Sequence, residues 1–228
     1  MILVNSCILL IACLFFIGNA NAQLGYVNFT PMNGGDNCTG ALNGTGYSWQ
    51  LNTCIQFREI YYLIKYTDGS ELQNSYVTFY IYKTNACNDN DPLSTSYDIG
   101  SCVELPTSWA YGWYYDTVDW AKVSVHMGPP GYIAPQAYRN TLYQVGDSAC
   151  QTNYLVYFYY TNDLQFSNTL QTYTYWCQNN DPMQKVCTEG TGCITTSIAI
   201  NCQTSSDEED DFMDDIVGDP DYYFTITC

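Results

Sequence analysis

Few residues of this chain could carry covalent chemistry. His126, in Val125-His126-Met127, is the single histidine in 228 residues. A lone imidazole with no Ser or Cys nucleophile signature beside it is a poor candidate base, because catalytic histidines work against a partner they activate or that orients them. Asp116 and Asp119 are the first carboxylate pair to consider for glycoside hydrolysis, which needs two acids flanking one bond. Acids of this kind more often close turns. There is no glycine-rich phosphate loop and no Cys-x-x-Cys pair. These features point to a protein without enzymatic activity, with a carboxylate-based hydrolase as the least favoured reading.

Binding chemistry is better represented. Residues 106–116 hold Trp109, Tyr111, Trp113 and Tyr114, followed by Asp116 and Asp119. Flat aromatic faces beside carboxylates suit a sugar: the rings stack on its apolar face and the acids bond its hydroxyls. The competing reading is that these aromatics fill a β core. A second cluster is acidic: Asp207 to Asp211, Asp214, Asp215, Asp219 and Asp221 place nine acids in fifteen residues. Such a run repels itself and is expected as a solvated loop. Weak calcium binding over 207–221 and sulfation of Tyr222 or Tyr223 are its sharper alternatives; no metal site of defined geometry is expected. The 23 tyrosines fit β-strands, and any exposed ones would suit oxidative cross-linking.

Charge narrows the partners. Six basic residues against 23 acidic ones give a net charge of −17. Without the acidic run the balance is 14 acids against six bases, or −8. Nucleic acid is excluded as a partner because phosphate binding needs a basic footprint. An anionic membrane surface is disfavoured for the same reason.

The elements that must position these residues are marked by cysteines. Residues 7–18 form an apolar run too short to span a bilayer, followed by Ala20-Asn21-Ala22. This predicts a signal peptide over 1–22, cleaved to leave Gln23, and no membrane anchor. Asn28, Asn37 and Asn43 lie in Asn-x-Thr sequons and are the expected glycosylation sites. Ten cysteines remain after cleavage, at 38, 54, 87, 102, 150, 177, 187, 193, 202 and 228. An even, high count behind a signal predicts disulfides rather than metal.

Their spacing reads as a repeat. Cys54, Cys102 and Cys150 are 48 residues apart, and Cys193 follows 43 later. Cysteines 15 or 16 residues upstream accompany three of the four: Cys38, Cys87 and Cys177. Asn90-Asp91-Pro92 and Asn180-Asp181-Pro182 recur at one offset after Cys87 and Cys177. Stretches 60–66, 76–82, 154–160, 170–176 and 222–227 are aromatic and β-branched with period-two character, which predicts strands. The expected fold is therefore all-β, about four disulfide-stapled repeats of 43–48 residues packed as sandwich or Greek-key modules. The repeats divide into 23–126 and 127–228, the second half carrying an acidic loop at 205–221. The expected staples are Cys38–Cys54, Cys87–Cys102 and Cys177–Cys193, with Cys187–Cys202 and Cys150–Cys228 as the remaining pairs.

The pattern Gly100-Ser101-Cys102-Val103-Glu104-Leu105-Pro106, with Ala121 to Val125 beyond, resembles one βγ-crystallin-type Greek key over 76–126. The signal, clustered sequons, repeated cysteine loops and Tyr/Asn/Thr-rich strands together resemble secreted glycoproteins of slime moulds and amoebae made during encystment, the spherulin type. That resemblance implies a structural or protective role in an extracellular wall, coat or matrix, with wall polysaccharide or other coat proteins as partners.

Overall fold

Period-two segments bury one face and leave the other for a second neighbour. In Tyr76-Val77-Thr78-Phe79-Tyr80-Ile81-Tyr82, Val77 and Phe79 are fully enclosed and point the same way. The same logic builds sixteen strands, all paired antiparallel, and no α-helix among the described residues. The computed structural model describes residues 25–57, 60–70, 74–83, 87–88, 90–106, 109, 120–127, 138–167, 169–204 and 222–228.

Eight strands form one long sheet. Its first four are β1 (Gly25–Pro31), β2 (Thr45–Gln50), β7 (Cys102–Glu104) and β8 (Trp120–Met127). The other four are β9 (Tyr138–Tyr143), β10 (Val156–Tyr160), β15 (Ile200–Thr204) and β16 (Tyr223–Thr227). Two four-stranded sheets complete the molecule. One contains β3 (Cys54–Phe57), β4 (Ile60–Thr67), β5 (Tyr76–Tyr82) and β6 (Leu93–Asp98). The other contains β11 (Leu164–Ser167), β12 (Gln171–Gln178), β13 (Asp181–Thr188) and β14 (Gly192–Ser197).

Strand order in the long sheet is β15-β16-β9-β10-β2-β1-β8-β7. It reads as a palindrome about the β10–β2 pair when β1, β2, β7 and β8 are matched to β9, β10, β15 and β16. The orders β3-β4-β5-β6 and β11-β12-β13-β14 match in the same way. The strands thus group into two sets of eight rather than four equal units. Residues 126 and 127 end β8, and strands from both sides of that point share the long sheet.

Both small sheets pack on one face of the long sheet, as a sandwich does. Directly opposed residues share a face, so Val27, Trp49, Val156, Leu142 and Phe224 line one row and Phe29, Tyr47 and Phe158 the next. These meet Phe79, Phe57 and Tyr62 of the first small sheet: Phe29–Phe79 is 5.8 Å, Trp49–Phe57 5.1 Å and Trp49–Tyr62 5.2 Å between ring centroids. Across the seam, Tyr160–Phe166 at 4.9 Å and Tyr138–Tyr175 at 5.3 Å join the long sheet to the second. One apolar core runs through both halves.

All ten cysteines are paired, but not as their spacing predicts. The bridges are Cys38–Cys102, Cys54–Cys87, Cys150–Cys202, Cys177–Cys228 and Cys187–Cys193. None of the expected pairs Cys38–Cys54, Cys87–Cys102, Cys177–Cys193, Cys187–Cys202 or Cys150–Cys228 forms. A bridge needs Cα atoms within roughly 7 Å, and strand pairing decides which cysteines come that close. Pro31 at the end of β1 opposes Ala121, and Val103 opposes Ala121 on its other side, so the connection after β1 arrives beside β7. Cys38 in that connection meets Cys102 at a Cα separation of 5.6 Å. Cys150, in the connection after β9, meets Cys202 on β15 at 5.9 Å, the same position in the other half. Cys54, Cys102 and Cys150 begin β3, begin β7 and close a turn, so their even spacing is not a structural period. The crystallin-like stretch 76–126 also divides, with β5 and β6 in a small sheet and β7 and β8 in the long one.

Candidate functional site

The residue expected to lead a sugar platform is in the core. Trp109 is 3% exposed. Its ring lies 5.0 Å from Phe29, 5.1 Å from Trp49 and Phe79, and 5.4 Å from Tyr47. The Tyr47 hydroxyl donates to the Trp109 carbonyl at 2.8 Å. Trp109 closes the space between the two sheets, so it cannot stack on a ligand. Tyr111, Trp113, Tyr114, Asp116 and Asp119 lie outside the described residues, as do residues 1–22 and the acidic run 207–221.

The three sequons fall in unlike places. Asn28 sits mid-strand in β1, opposed by Ser48 and Ser124, and is 8% exposed with both side-chain polar atoms enclosed. A glycan has no room there in the folded chain. Asn37 and Asn43 are exposed in the connection between β1 and β2. Asn43 Nδ2 donates to Asn33 Oδ1 at 3.0 Å. Tyr222 is enclosed and its hydroxyl accepts from the Gln56 backbone N–H at 3.3 Å, which removes it as a sulfation target. His126 is exposed near the end of β8. Among the described residues, no three His, Cys, Asp or Glu side chains converge to hold a metal ion.

Among the described residues a second polar-aromatic cluster is one the sequence does not announce. It lies on the outer face of the long sheet, away from the small sheets. Tyr26, Tyr157 and Tyr159 come from β1 and β10, and Tyr154 from the segment just before β10. Ring centroids are 4.5 Å apart for Tyr26–Tyr154, 4.8 Å for Tyr154–Tyr157 and 6.1 Å for Tyr157–Tyr159. Ser48 Oγ and the Tyr154 hydroxyl share a hydrogen bond of 3.1 Å, and the Tyr26 hydroxyl donates to the Tyr154 carbonyl at 3.4 Å. The Arg139 guanidinium stands 5.7 Å from the Tyr157 ring centroid and donates to Thr227 Oγ1 at 3.3 Å. Gly46 is obligatory beside this cluster, because any side chain there would collide with the Tyr159 ring.

Burial fixes the chemistry of these phenols. It pushes Tyr154 and Tyr159 well above the ordinary tyrosine range, and raises Tyr26 and Tyr157 as well. Ser48 and Arg139 oppose the effect at Tyr157 without cancelling it. Phenols raised in this way are protonated at neutral pH and can donate hydrogen bonds, as Tyr26 does to the Tyr154 carbonyl. Alternation along β10 could have revealed them, since Val156, Phe158 and Tyr160 face the core and Tyr157 and Tyr159 must face away.

No helix among the described residues is long and apolar enough to cross a membrane; β-barrel spans are a separate matter. No curated protein and no solved structure gives a match. The family model described as counting factor-associated protein A/B/C matches residues 1–213. The chain therefore belongs to this slime-mould family, and not to the spherulins.

Proposed function

We propose that the protein is a secreted, non-enzymatic glycoprotein that associates with other secreted proteins, as a structural or protective part of an extracellular coat or matrix. The observation that carries this reading is the five-disulfide frame tying the strand connections to the sheets. Such a frame persists in oxidising surroundings outside the cell. Membership of a family whose name speaks of association with counting factor adds the expectation of protein partners. The neutral, enclosed phenols and exposed lone His126 give no support to proton-transfer chemistry. Asn37 and Asn43 would carry the glycans.

The test is fractionation of conditioned medium from cells expressing the chain. It is expected there, beginning at Gln23, glycosylated, and eluting with other secreted proteins rather than at its own mass. A chain retained in cells with an intact N-terminus overturns the reading. So does turnover of a chromogenic glycoside panel.

A further inference from the structure

Proteins normally blunt the free edges of their sheets, because an open edge offers unpaired N–H and C=O groups to another strand. Most described edges here are blunted. β7 has only three residues. β15 carries a register shift between Ile200 and Gln203. On β3, the Gln56 N–H is occupied by the Tyr222 hydroxyl. β11 has four residues.

β14 and its counterpart β6 differ. Each has six residues, ends its sheet, and contains no Lys, Arg or Pro. All six residues of β14 are exposed. Ile194 on β14 is 70% exposed and Leu93 on β6 is 64% exposed.

The direction of the backbone groups follows from alternation. The Ile198 N–H donates to the Pro182 carbonyl at 2.9 Å, which makes that opposed pair a bonded one. In an antiparallel ladder bonded and non-bonded pairs alternate. The next bonded pairs are therefore Thr196–Gln184 and Ile194–Val186, and the N–H and C=O of Cys193, Thr195 and Ser197 point away from β13. On β6 the Ile99 N–H donates to the Ser75 carbonyl at 2.8 Å, so Ser94 and Ser96 point away from β5 by the same count.

Both edges are flanked by acids. Glu189 stands in the turn before β14, and Asp181 accepts from the Ser197 hydroxyl at 2.8 Å at its far end. Asp91 precedes β6 and Asp98 ends it. A shallow cavity of about 320 Å³ beside Glu189, lined by Leu170, Gln171 and Thr188 among others, belongs to the β12–β13 side and not to the β14 edge. Asp181 begins β13 and Glu189 follows its last residue, so at about 3.3 Å per residue these two acids stand roughly 26 Å apart, and Asp91 and Asp98 roughly 23 Å. The net charge of −17 disfavours a second copy of this chain in that place.

We propose that the open edges of β14 and β6 each take up an extended segment of a partner protein by strand addition, the segment carrying Lys or Arg at both ends of an uncharged stretch. Main-chain hydrogen bonds supply the attachment, Ile194 or Leu93 an apolar contact, and the flanking acids the choice of partner. This deepens the reading of the protein as an associate of other secreted proteins and rests on it. Failure at the edges leaves that reading standing, since fractionation tests association by any surface.

The probe is a fluorescent peptide, Lys-Val-Thr-Val-Thr-Val-Lys, titrated with the full secreted chain; its counterpart has Glu at both ends. Two Lys-ended peptides should bind per chain, at least tenfold more tightly than the Glu-ended one. Thr195→Pro removes an outward N–H without touching the β13–β14 ladder. It should lower the stoichiometry to one and leave thermal unfolding unchanged. Adding Ser94→Pro should lower it to none. Glu189→Lys, which spares the backbone, should weaken one of the two sites at least threefold for the Lys-ended peptide. Equal binding of the two peptides, or binding indifferent to all three variants, overturns the proposal. So does a dimer of the free chain that Thr195→Pro dissociates, because the occupant would then be a second copy.

Discussion

Trp109 shows how one side chain can be read two ways. Aromatic residues beside acids fit a sugar platform, yet four rings of two sheets close around this indole. Trp109→Ala should therefore act on stability, at a cost of roughly 3–5 kcal/mol by the usual range for large core truncations. Denaturant unfolding measures it, and a near-wild-type midpoint would return Trp109 to the surface. The phenols give a second test. Burial raises Tyr154 and Tyr159, and holds Tyr97 and Tyr175 at about 12. A group raised above its unfolded value, about 10 for tyrosine, contributes stability that is fully present below that value. That contribution is lost as pH climbs from there towards the folded value. Ultraviolet titration should show a class of tyrosines that ionises only as the fold is lost, above about pH 10. Smooth, reversible ionisation of every tyrosine near pH 10, with the fold intact, would contradict this.

At the scale of elements, the bridges differ in what they constrain. Cys38–Cys102 spans 64 residues and joins the β1–β2 connection to β7. Cys187–Cys193 spans six and joins residues already opposed in the β13–β14 ladder. In the chain-entropy account the first limits the unfolded chain by roughly 4 kcal/mol and the second by roughly 2 kcal/mol. Replacing both cysteines of the first pair by Ala should lower the unfolding midpoint clearly more than replacing those of the second. Equal losses would show that native contacts, and not loop length, set the contribution. Asp147 has a local role of the same kind. The Thr152 hydroxyl and the Gln151 and Thr152 N–H groups bond its carboxylate and hold it below the usual range, which fixes the turn that presents Cys150.

The whole molecule depends on the seam between β2 and β10. Trp49 opposes Val156 and Tyr47 opposes Phe158 there, and the core continues through both pairs. A chain ending at Met127 would leave the β2 edge and this apolar row uncovered. It should not persist as a folded monomer; sedimentation and urea unfolding of residues 23–127 check this. A stable monomer with a cooperative transition would show that the halves are independent.

Much of the architecture was legible in the chain. The strands at 60–66, 76–82 and 222–227 are visible because alternation and β-branching act locally. An even set of ten cysteines is likewise enough to expect disulfides. The partners of those cysteines were not legible. The 48-residue period connects Cys54, Cys102 and Cys150 in sequence only, because strand order puts β7 beside β8 and Cys102 beside the β1–β2 connection. The fate of Trp109 and Asn28 was hidden for a related reason: which face of a strand is covered depends on a second layer far away in the chain. By itself the sequence determined the all-β class, the acidic charge and the disulfide chemistry, since these follow from composition and short-range periodicity. Only the tertiary structure decided the pairings, the two-by-eight strand plan and which aromatics lie inside, because each of those is set by contacts between residues distant in the chain.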